Sequence, residues 1–144
     1  ALETLAHELS LLGGKLLCKS LEYLEEIEGL KQIHCDATYC KKIKKEEGCV
    51  DFESGKMIVN KLLAFNSWPS VFLESGLKIL KVDFEECLTN GKLGEICEIQ
   101  LDGVKIVCKD GILKIYEVQP ANKQKMSALD YIRGKRWEIG EIFC

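Results

Sequence analysis

Leucines recur along the first 27 residues at steps of three and four positions, which places them on one face of a helix. The pattern therefore predicts a long helix over residues 2–27, with a weak point at Gly13-Gly14. Its apolar stripe is too extensive to stand alone, so we expect this helix to pack on another part of the molecule or to mediate self-association. The stripe consists of Leu2, Leu5, Leu9, Leu12, Leu16, Leu21, Leu24 and Ile27.

From Val71 onward the pattern changes to short apolar runs separated by turn residues. Such runs, joined by tight turns, predict five or six short strands that close into a small β-barrel. The runs cover residues 71–74, 77–84, 94–101, 104–108 and 112–118, and the turns between them include Ser75-Gly76, Asp102-Gly103 and Asp110-Gly111.

Two short helices complete a prediction of the α+β class. The first is capped by Asp51 or Ser54 and ends before Trp68-Pro69, because proline lacks an N–H and restricts the residue before it. The second opens at Ser127, has Asp130 three residues on, and is expected to end at Gly134. We predict Trp68 to be a core side chain that packs beside Pro69; the alternative is a platform on which a nucleic-acid base stacks.

The formal net charge of −3 argues against nucleic-acid binding by the chain as a whole, but the charge is unevenly distributed. Residues 1–36 carry three lysines against seven acidic side chains, whereas residues 103–136 carry eight basic against three acidic side chains. The N-terminal part of the chain is therefore acidic and the C-terminal part basic, which is compatible with one anion-binding face. The basic candidates are Lys41, Lys42, Lys44 and Lys45 in one segment, Lys123 and Lys125 in a loop, and Arg133, Lys135 and Arg136 after it. The alternative for each group is an ordinary solvated surface.

The chain has eight cysteines. Cys97 and Cys108 lie in apolar strand-like runs, where cysteine behaves as a small hydrophobic residue. With no secretory signal visible, we expect reduced thiols and a cytoplasmic protein. Neither metal-ligand spacing nor an apolar run of about 20 residues is present, so we expect neither a metal site nor a membrane span. We expect His34 and Cys35 to lie in an extended segment, where adjacent side chains point to opposite sides, which disfavours a catalytic pair.

Residues 37–52 read A-T-Y-C-K-K-I-K-K-E-E-G-C-V-D-F, residues 64–69 read A-F-N-S-W-P, and residues 110–128 read D-G-I-L-K-I-Y-E-V-Q-P-A-N-K-Q-K-M-S-A. In this order, these three blocks resemble the methionyl-tRNA formyltransferase family. Residues 37–52 are similar to that family's A-T-Y-A-x-K-I-x-K-E-[DE]-x-x-I-D-W, and residues 64–69 to the end of R-A-[FL]-N-P-W-P. Residues 110–128 are similar to D-G-x-L-x-[IL]-x-x-[LV]-Q-P-x-G-K-x-x-M-S-A. The chain departs from these patterns at Phe52, Leu63, Ser67 and Asn122, and Leu63 removes one candidate phosphate contact.

The resemblance implies that residues 1–29 are the last helix of a Rossmann-like catalytic domain, 30–53 a basic linker and 54–144 an OB-like tRNA-binding domain. It implies an enzyme that formylates initiator Met-tRNA with 10-formyltetrahydrofolate, although no catalytic or cofactor-binding residue is expected within this chain. The implied tRNA-binding residues are Lys41, Lys42, Lys44, Lys45, Lys123, Lys125, Arg133, Lys135 and Arg136. The alternative is a free-standing OB-type module that binds nucleic acid or protein.

Overall fold

The computed structural model describes residues 2–65 and 67–144. The chain divides into two compact units, one ending at Ile43 and the other beginning at Lys44. This boundary falls inside the predicted linker, while the finer division into 1–29, 30–53 and 54–144 stays a prediction. Within the described residues, no helix combines the length and the apolar character that crossing a membrane requires.

The first unit contains one long helix, α1, over Leu2–Glu22, and a 3₁₀ turn over His34–Asp36. The helix runs through Gly13 and Gly14 but ends five residues before the predicted Ile27. Four glutamates occupy residues 22–28, and negative charge at a helix C-terminus opposes the helix dipole, so the chain turns at Tyr23 instead. No side chain of α1 is buried. Self-association through this helix stays a prediction.

The second unit is a single antiparallel sheet with two short helices, which confirms the α+β prediction. The sheet order is β1-β2-β5-β4-β3, and β6 pairs with β5. This order has β1 and β3 at its two ends, and closure into a barrel stays a prediction. The elements are α2 (Gly55–Ala64), β1 (Val71–Phe72), β2 (Lys78–Glu86), β3 (Ile96–Gln100), β4 (Gly103–Cys108), β5 (Gly111–Gln119), β6 (Met126–Ser127) and α3 (Ala128–Lys135).

Two-residue turns join β3 to β4 and β4 to β5, as the Asp-Gly pairs predict. Each glycine opens a strand instead of lying within the turn. A Cβ at Gly103 would approach the carbonyl oxygen of Ile115 to 2.8 Å, and a Cβ at Gly111 would collide with the carbonyl of Glu85. These glycines are therefore required by the close approach of neighbouring backbones.

The core lies between one face of the sheet, α2, α3 and the C-terminal tail. Phe143 is 1% exposed and packs against the rings of Phe52, Tyr131 and Trp137, with ring centroids 5.9–6.4 Å apart. Its backbone N–H donates to the carbonyl of Gly94 at 2.8 Å, which fixes the tail beside β3. The fully buried strand residues are Val71, Ile79, Ile96, Val104, Ile106, Cys108, Leu113, Ile115 and Val118.

Both helix starts follow the predicted caps. The Ser54 hydroxyl accepts from the backbone N–H of Met57 at 3.2 Å, and the Ser127 hydroxyl accepts from that of Asp130 at 3.0 Å. The predicted end of α3 at Gly134 is wrong. The helix continues to Lys135, and Arg136 ends it with φ of 62° while the next N–H bonds back to Ile132.

The start of α2 is also tied to the turn between β4 and β5 through the Asp110 carboxylate. One oxygen accepts from the backbone N–H of Gly55 at 2.7 Å. The other accepts from the Ser54 hydroxyl at 2.7 Å and the backbone N–H of Lys56 at 3.3 Å. Asp110 therefore satisfies N–H groups that the first turn of a helix leaves without a partner.

Candidate nucleic-acid interface

A cleft of about 570 Å³ in the second unit brings together two of the predicted basic groups. Lys45 comes from the lysine-rich segment and Lys123 from the loop after β5. Lys78 at the start of β2 lies on the same cleft, and no acidic side chain is among the described residues that line it. We call this site the basic cleft. Its remaining walls are Ser67, Trp68, Pro69, Ser70, Phe72, Gly76, Gln119, Pro120, Ala121 and Asn122.

Lys45 is held in place because the segment around it is packed and hydrogen-bonded to β1. It opens a 3₁₀ turn that ends at Gly48, and a Cβ on Gly48 would collide with the carbonyl of Ser70. Two residues further, the N–H of Val50 donates to the carbonyl of Phe72 at 2.9 Å. The lysine-rich segment is thus part of the folded unit from Lys44 onward.

Lys123 is placed by a short hydrogen-bonded loop at the end of β5. The side-chain amide of Gln119 donates to the carbonyl of Lys123 at 2.9 Å. The N–H of Lys123 donates to the carbonyl of Pro120 at 3.1 Å. Asn122 has φ of 59°, a left-handed conformation that asparagine tolerates well.

For two residues of the basic cleft, the sequence-based prediction failed: Lys78 was not among the predicted site residues, and Trp68 was predicted to be buried. Lys78 lies opposite Gln119 in the pairing of β2 with β5, and strand register was the signal that could have found it. Trp68 contradicts its predicted burial: it is 57% exposed, while Pro69 is buried instead. Pro69 occupies the space against Gly48, so the indole before it is left on the cleft wall.

Lys45, Lys78 and Lys123 have no carboxylate partner within the described part of the chain, unlike three other lysines of the second unit. The ion pairs found there join Lys105 to Glu98 at 2.6 Å, Lys114 to Asp102 at 2.8 Å and Lys109 to Glu53 at 3.3 Å. Hydrogen bonds to Glu98 and Asp102 raise the pKa of Lys105 and Lys114 respectively. The positive charge of the cleft lysines is therefore available to an anion from outside.

A neighbouring groove of about 330 Å³ shares Lys123, Pro120 and Ala121 with the basic cleft and leads to Lys135. The ammonium of Lys135 lies 5.8 Å from the ring centroids of both Tyr131 and Trp137. Such contacts orient a lysine while leaving its charge exposed. The positive surface therefore continues from the basic cleft toward α3.

The other predicted basic residues are not brought to these two sites. Lys44, Lys125, Arg133 and Arg136 are exposed in the second unit but line neither the basic cleft nor the neighbouring groove. Lys41 and Lys42 belong to the first unit. Their participation in tRNA binding stays a prediction.

The second unit is thus a small antiparallel α+β domain with a basic cleft at one end of its central strand. A family model described as "Formyl transferase, C-terminal domain" matches residues 42–136. The chain therefore belongs to the formyl transferase C-terminal domain family, and this confirms the resemblance found in its sequence blocks.

Curated relatives that match over most of this chain include methionyl-tRNA formyltransferases. That of a Nitratiruptor species is 42% identical over 140 residues, covering 97% of this chain and 46% of the relative. That of Helicobacter pylori is 41% identical over 143 residues, covering 99% of this chain and 47% of the relative. The chain thus spans about half the length of these relatives.

Solved structures with a similar fold include HypX from Aquifex aeolicus. A multiply substituted variant of HypX matches with a TM-score of 0.60 at 18% identity, covering 88% of this chain and 24% of HypX. HypX in complex with tetrahydrofolic acid matches with a TM-score of 0.57 at 20% identity, covering 89% and 26%. At these identities the likeness shows the fold alone.

Proposed function

We propose that this chain is the tRNA-binding part of a methionyl-tRNA formyltransferase, an enzyme that formylates the amino group of initiator Met-tRNA in the cytoplasm. The observation that carries the proposal is the basic cleft, where Lys45, Lys78 and Lys123 meet without carboxylate partners in the described residues. The names of the curated relatives supply the identity of the polyanion.

In this proposal residues 54–144 grip the tRNA, residues 30–53 form a basic linker and residues 1–29 are the last helix of a catalytic domain. That domain would bind 10-formyltetrahydrofolate as the formyl donor and carry out the transfer. The second unit holds the tRNA through phosphate contacts that do not depend on sequence, and so positions the acceptor arm for the reaction. Lys41, Lys42, Lys44, Lys125, Arg133 and Arg136 would add long-range attraction to the contacts made by the cleft lysines.

Salt dependence of tRNA binding tests the charge-based part of this proposal. Each phosphate neutralised by a lysine releases counterions, so the logarithm of the affinity falls linearly with the logarithm of salt concentration. We expect Lys123→Gln to weaken tRNA binding and to reduce the salt slope by about 1. Both quantities are obtained from the fluorescence anisotropy of labelled tRNA, titrated at KCl concentrations from about 50 to about 300 mM.

Lys109→Gln is the matched control for that measurement. It removes the same charge as Lys123→Gln. Lys109 lies just before the first residue of β5, whereas the basic cleft lies at the last residue of that strand. The two ends of β5 are about 25 Å apart at about 3.3 Å per residue. The control should change the slope by much less than Lys123→Gln. An affinity that does not vary with salt, or equal effects of both substitutions, would contradict the proposal.

Formyl transfer itself is tested by incubating the 144-residue chain with 10-formyltetrahydrofolate and Met-tRNA. We expect bound tRNA and no formylmethionyl product. Turnover by the chain alone would contradict the assignment of the chemistry to a separate domain.

A further inference from the structure

Trp68 gives the basic cleft a flat aromatic wall beside its positive charge. The side chain is 57% exposed, whereas Trp137 is half-buried against Tyr131 and Phe143. The residue after Trp68, Pro69, is buried close to Gly48, so the backbone that carries the indole is anchored in the fold. An exposed indole in a fixed place can contact a planar partner over a whole face.

The composition of the cleft matches the two chemical parts of a nucleotide. Lys45, Lys78 and Lys123 offer ammonium groups to phosphate oxygens, and Trp68 offers a stacking surface to a base. The cleft volume of about 570 Å³ lies within the range of about 300–1,000 Å³ found for sites that take small organic groups. Asn122 lies on the same cleft and carries an amide that can donate to, and accept from, the edge of a base.

We propose that Trp68 stacks on an unpaired base of the bound RNA while Lys45, Lys78 and Lys123 hold the adjoining phosphates. The base has to be unpaired because bases inside a duplex are stacked on both faces and present only their edges. This inference rests on the proposed function and adds to it a preference for RNA with an accessible single-stranded nucleotide. It assigns Trp68 a binding role that charge alone does not provide.

Two RNAs and two substitutions separate stacking from charge. The 144-residue chain and its Trp68→Leu and Trp68→Phe variants are titrated into fluorescent tRNA and into a blunt-ended RNA duplex of similar length. We expect Trp68→Leu to weaken tRNA binding by about 5- to 160-fold, the range that loss of one base–aromatic stack gives, with an unchanged salt slope. Trp68→Phe should retain most of the affinity, and duplex binding should stay within about two-fold for both variants.

Each outcome bears on one level of the proposal. If Trp68→Leu weakens tRNA and duplex binding equally, or changes neither, stacking on an unpaired base is wrong while tRNA binding by the cleft stands. If the unsubstituted chain binds neither RNA, the proposed function itself fails. Trp68 is more than half exposed, so its replacement is expected to leave the far-UV circular dichroism and melting temperature unchanged.

Tryptophan fluorescence provides a second measurement that does not depend on affinity. The chain has two tryptophans, so Trp137→Phe leaves Trp68 as the single reporter and keeps an aromatic ring in the core. Saturating tRNA should strongly quench this emission, and saturating duplex should not. Unquenched Trp68 in the tRNA complex would overturn the inference.

Discussion

Replacing Asp110 by alanine should destabilise the second unit far more than its position in a surface turn suggests. The carboxylate accepts hydrogen bonds from Ser54, Gly55 and Lys56 at 2.7–3.3 Å and thereby joins the β4–β5 turn to the start of α2. Alanine removes all three acceptor contacts at once. It also removes a negative charge that lies favourably at the positive end of the α2 helix dipole.

The expected loss is about 2–4 kcal/mol of unfolding free energy. A hydrogen bond to a charged group contributes about 1.5–3 kcal/mol, but the partly exposed donors regain water when the carboxylate is removed, which keeps the total below a simple sum. Asp110→Asn keeps one acceptor oxygen and loses the charge, so we expect about 1–2 kcal/mol. Asp102→Ala is the matched control, because Asp102 occupies the equivalent Asp-Gly turn and makes one exposed ion pair, whose loss should destabilise the fold much less.

The stabilisation by Asp110 should depend on pH. Burial by itself raises the pKa of this carboxyl, but the hydrogen bonds from Ser54, Gly55 and Lys56 outweigh it and hold the pKa below its ordinary value of 3.8. A group with a lowered pKa in the folded state contributes stability above its unfolded pKa and loses it as pH falls through the folded pKa. The free-energy difference between the parent and Asp110→Asn should therefore shrink below about pH 4.

The unfolding free energies of the parent and the Asp110 variants are measured by urea unfolding, followed by circular dichroism. The measurements are made at about pH 7 and at several values below about pH 4, the ordinary carboxyl pKa. An Asp110→Ala variant within about 0.5 kcal/mol of the parent would refute the reasoning, because ordinary surface substitutions fall in that range. A free-energy gap between the parent and Asp110→Asn that persists unchanged at low pH would refute the electrostatic part alone.

Three further predictions concern packing and thiol chemistry. Gly48→Ala should cost about 1–3 kcal/mol of stability in thermal melts, because its methyl would collide with a backbone carbonyl, whereas Gly29→Ala, with open space around it, should not destabilise. Phe143→Ala should lower the unfolding free energy by about 3–5 kcal/mol in urea unfolding. Ile142 is 45% exposed, so Ile142→Ala should lower it by less than about 1 kcal/mol. Equal losses would contradict the packing of the tail. Burial raises the pKa of the Cys108 thiol to about 12. Mass spectrometry should therefore find Cys108 unmodified by iodoacetamide at about pH 8, near the ordinary thiol pKa, while the exposed cysteines react. Alkylation of Cys108 in the folded protein would refute this.

The sequence predicts the strands and turns of the second unit well because both signals are local. Asp-Gly pairs and short apolar runs identify β3, β4 and β5 to within one or two residues. Alternation in β2 is imperfect, and the sheet shows why: the register shifts on either side of Lys81, as a β-bulge requires. The early end of α1 depends on a weak balance between propensity and the helix dipole, which the leucine pattern does not reveal.

The basic cleft was predictable in part, and its missing members share one cause. Lys45 and Lys123 stand out because each lies in a visibly basic stretch. Lys78 is an isolated lysine, and its place depends on pairing with Gln119 across 41 positions of the chain. The exposure of Trp68 depends on which of two adjacent apolar residues fits against Gly48. From the sequence, Asp110 is only a turn residue, because its contacts with the start of α2 form only in the folded chain.

The walls of the basic cleft come from four stretches of chain that begin near Lys45 and end at Lys123. During synthesis the site cannot assemble until β5 has left the ribosome and paired with β2, since that pairing brings Lys78 beside the loop. Prematurely terminated chains that stop before residue 119 would carry the lysine-rich segment but lack the far wall of the cleft. In the proposed function, such chains would therefore lack the tRNA-binding cleft that a chain extending through Lys123 contains.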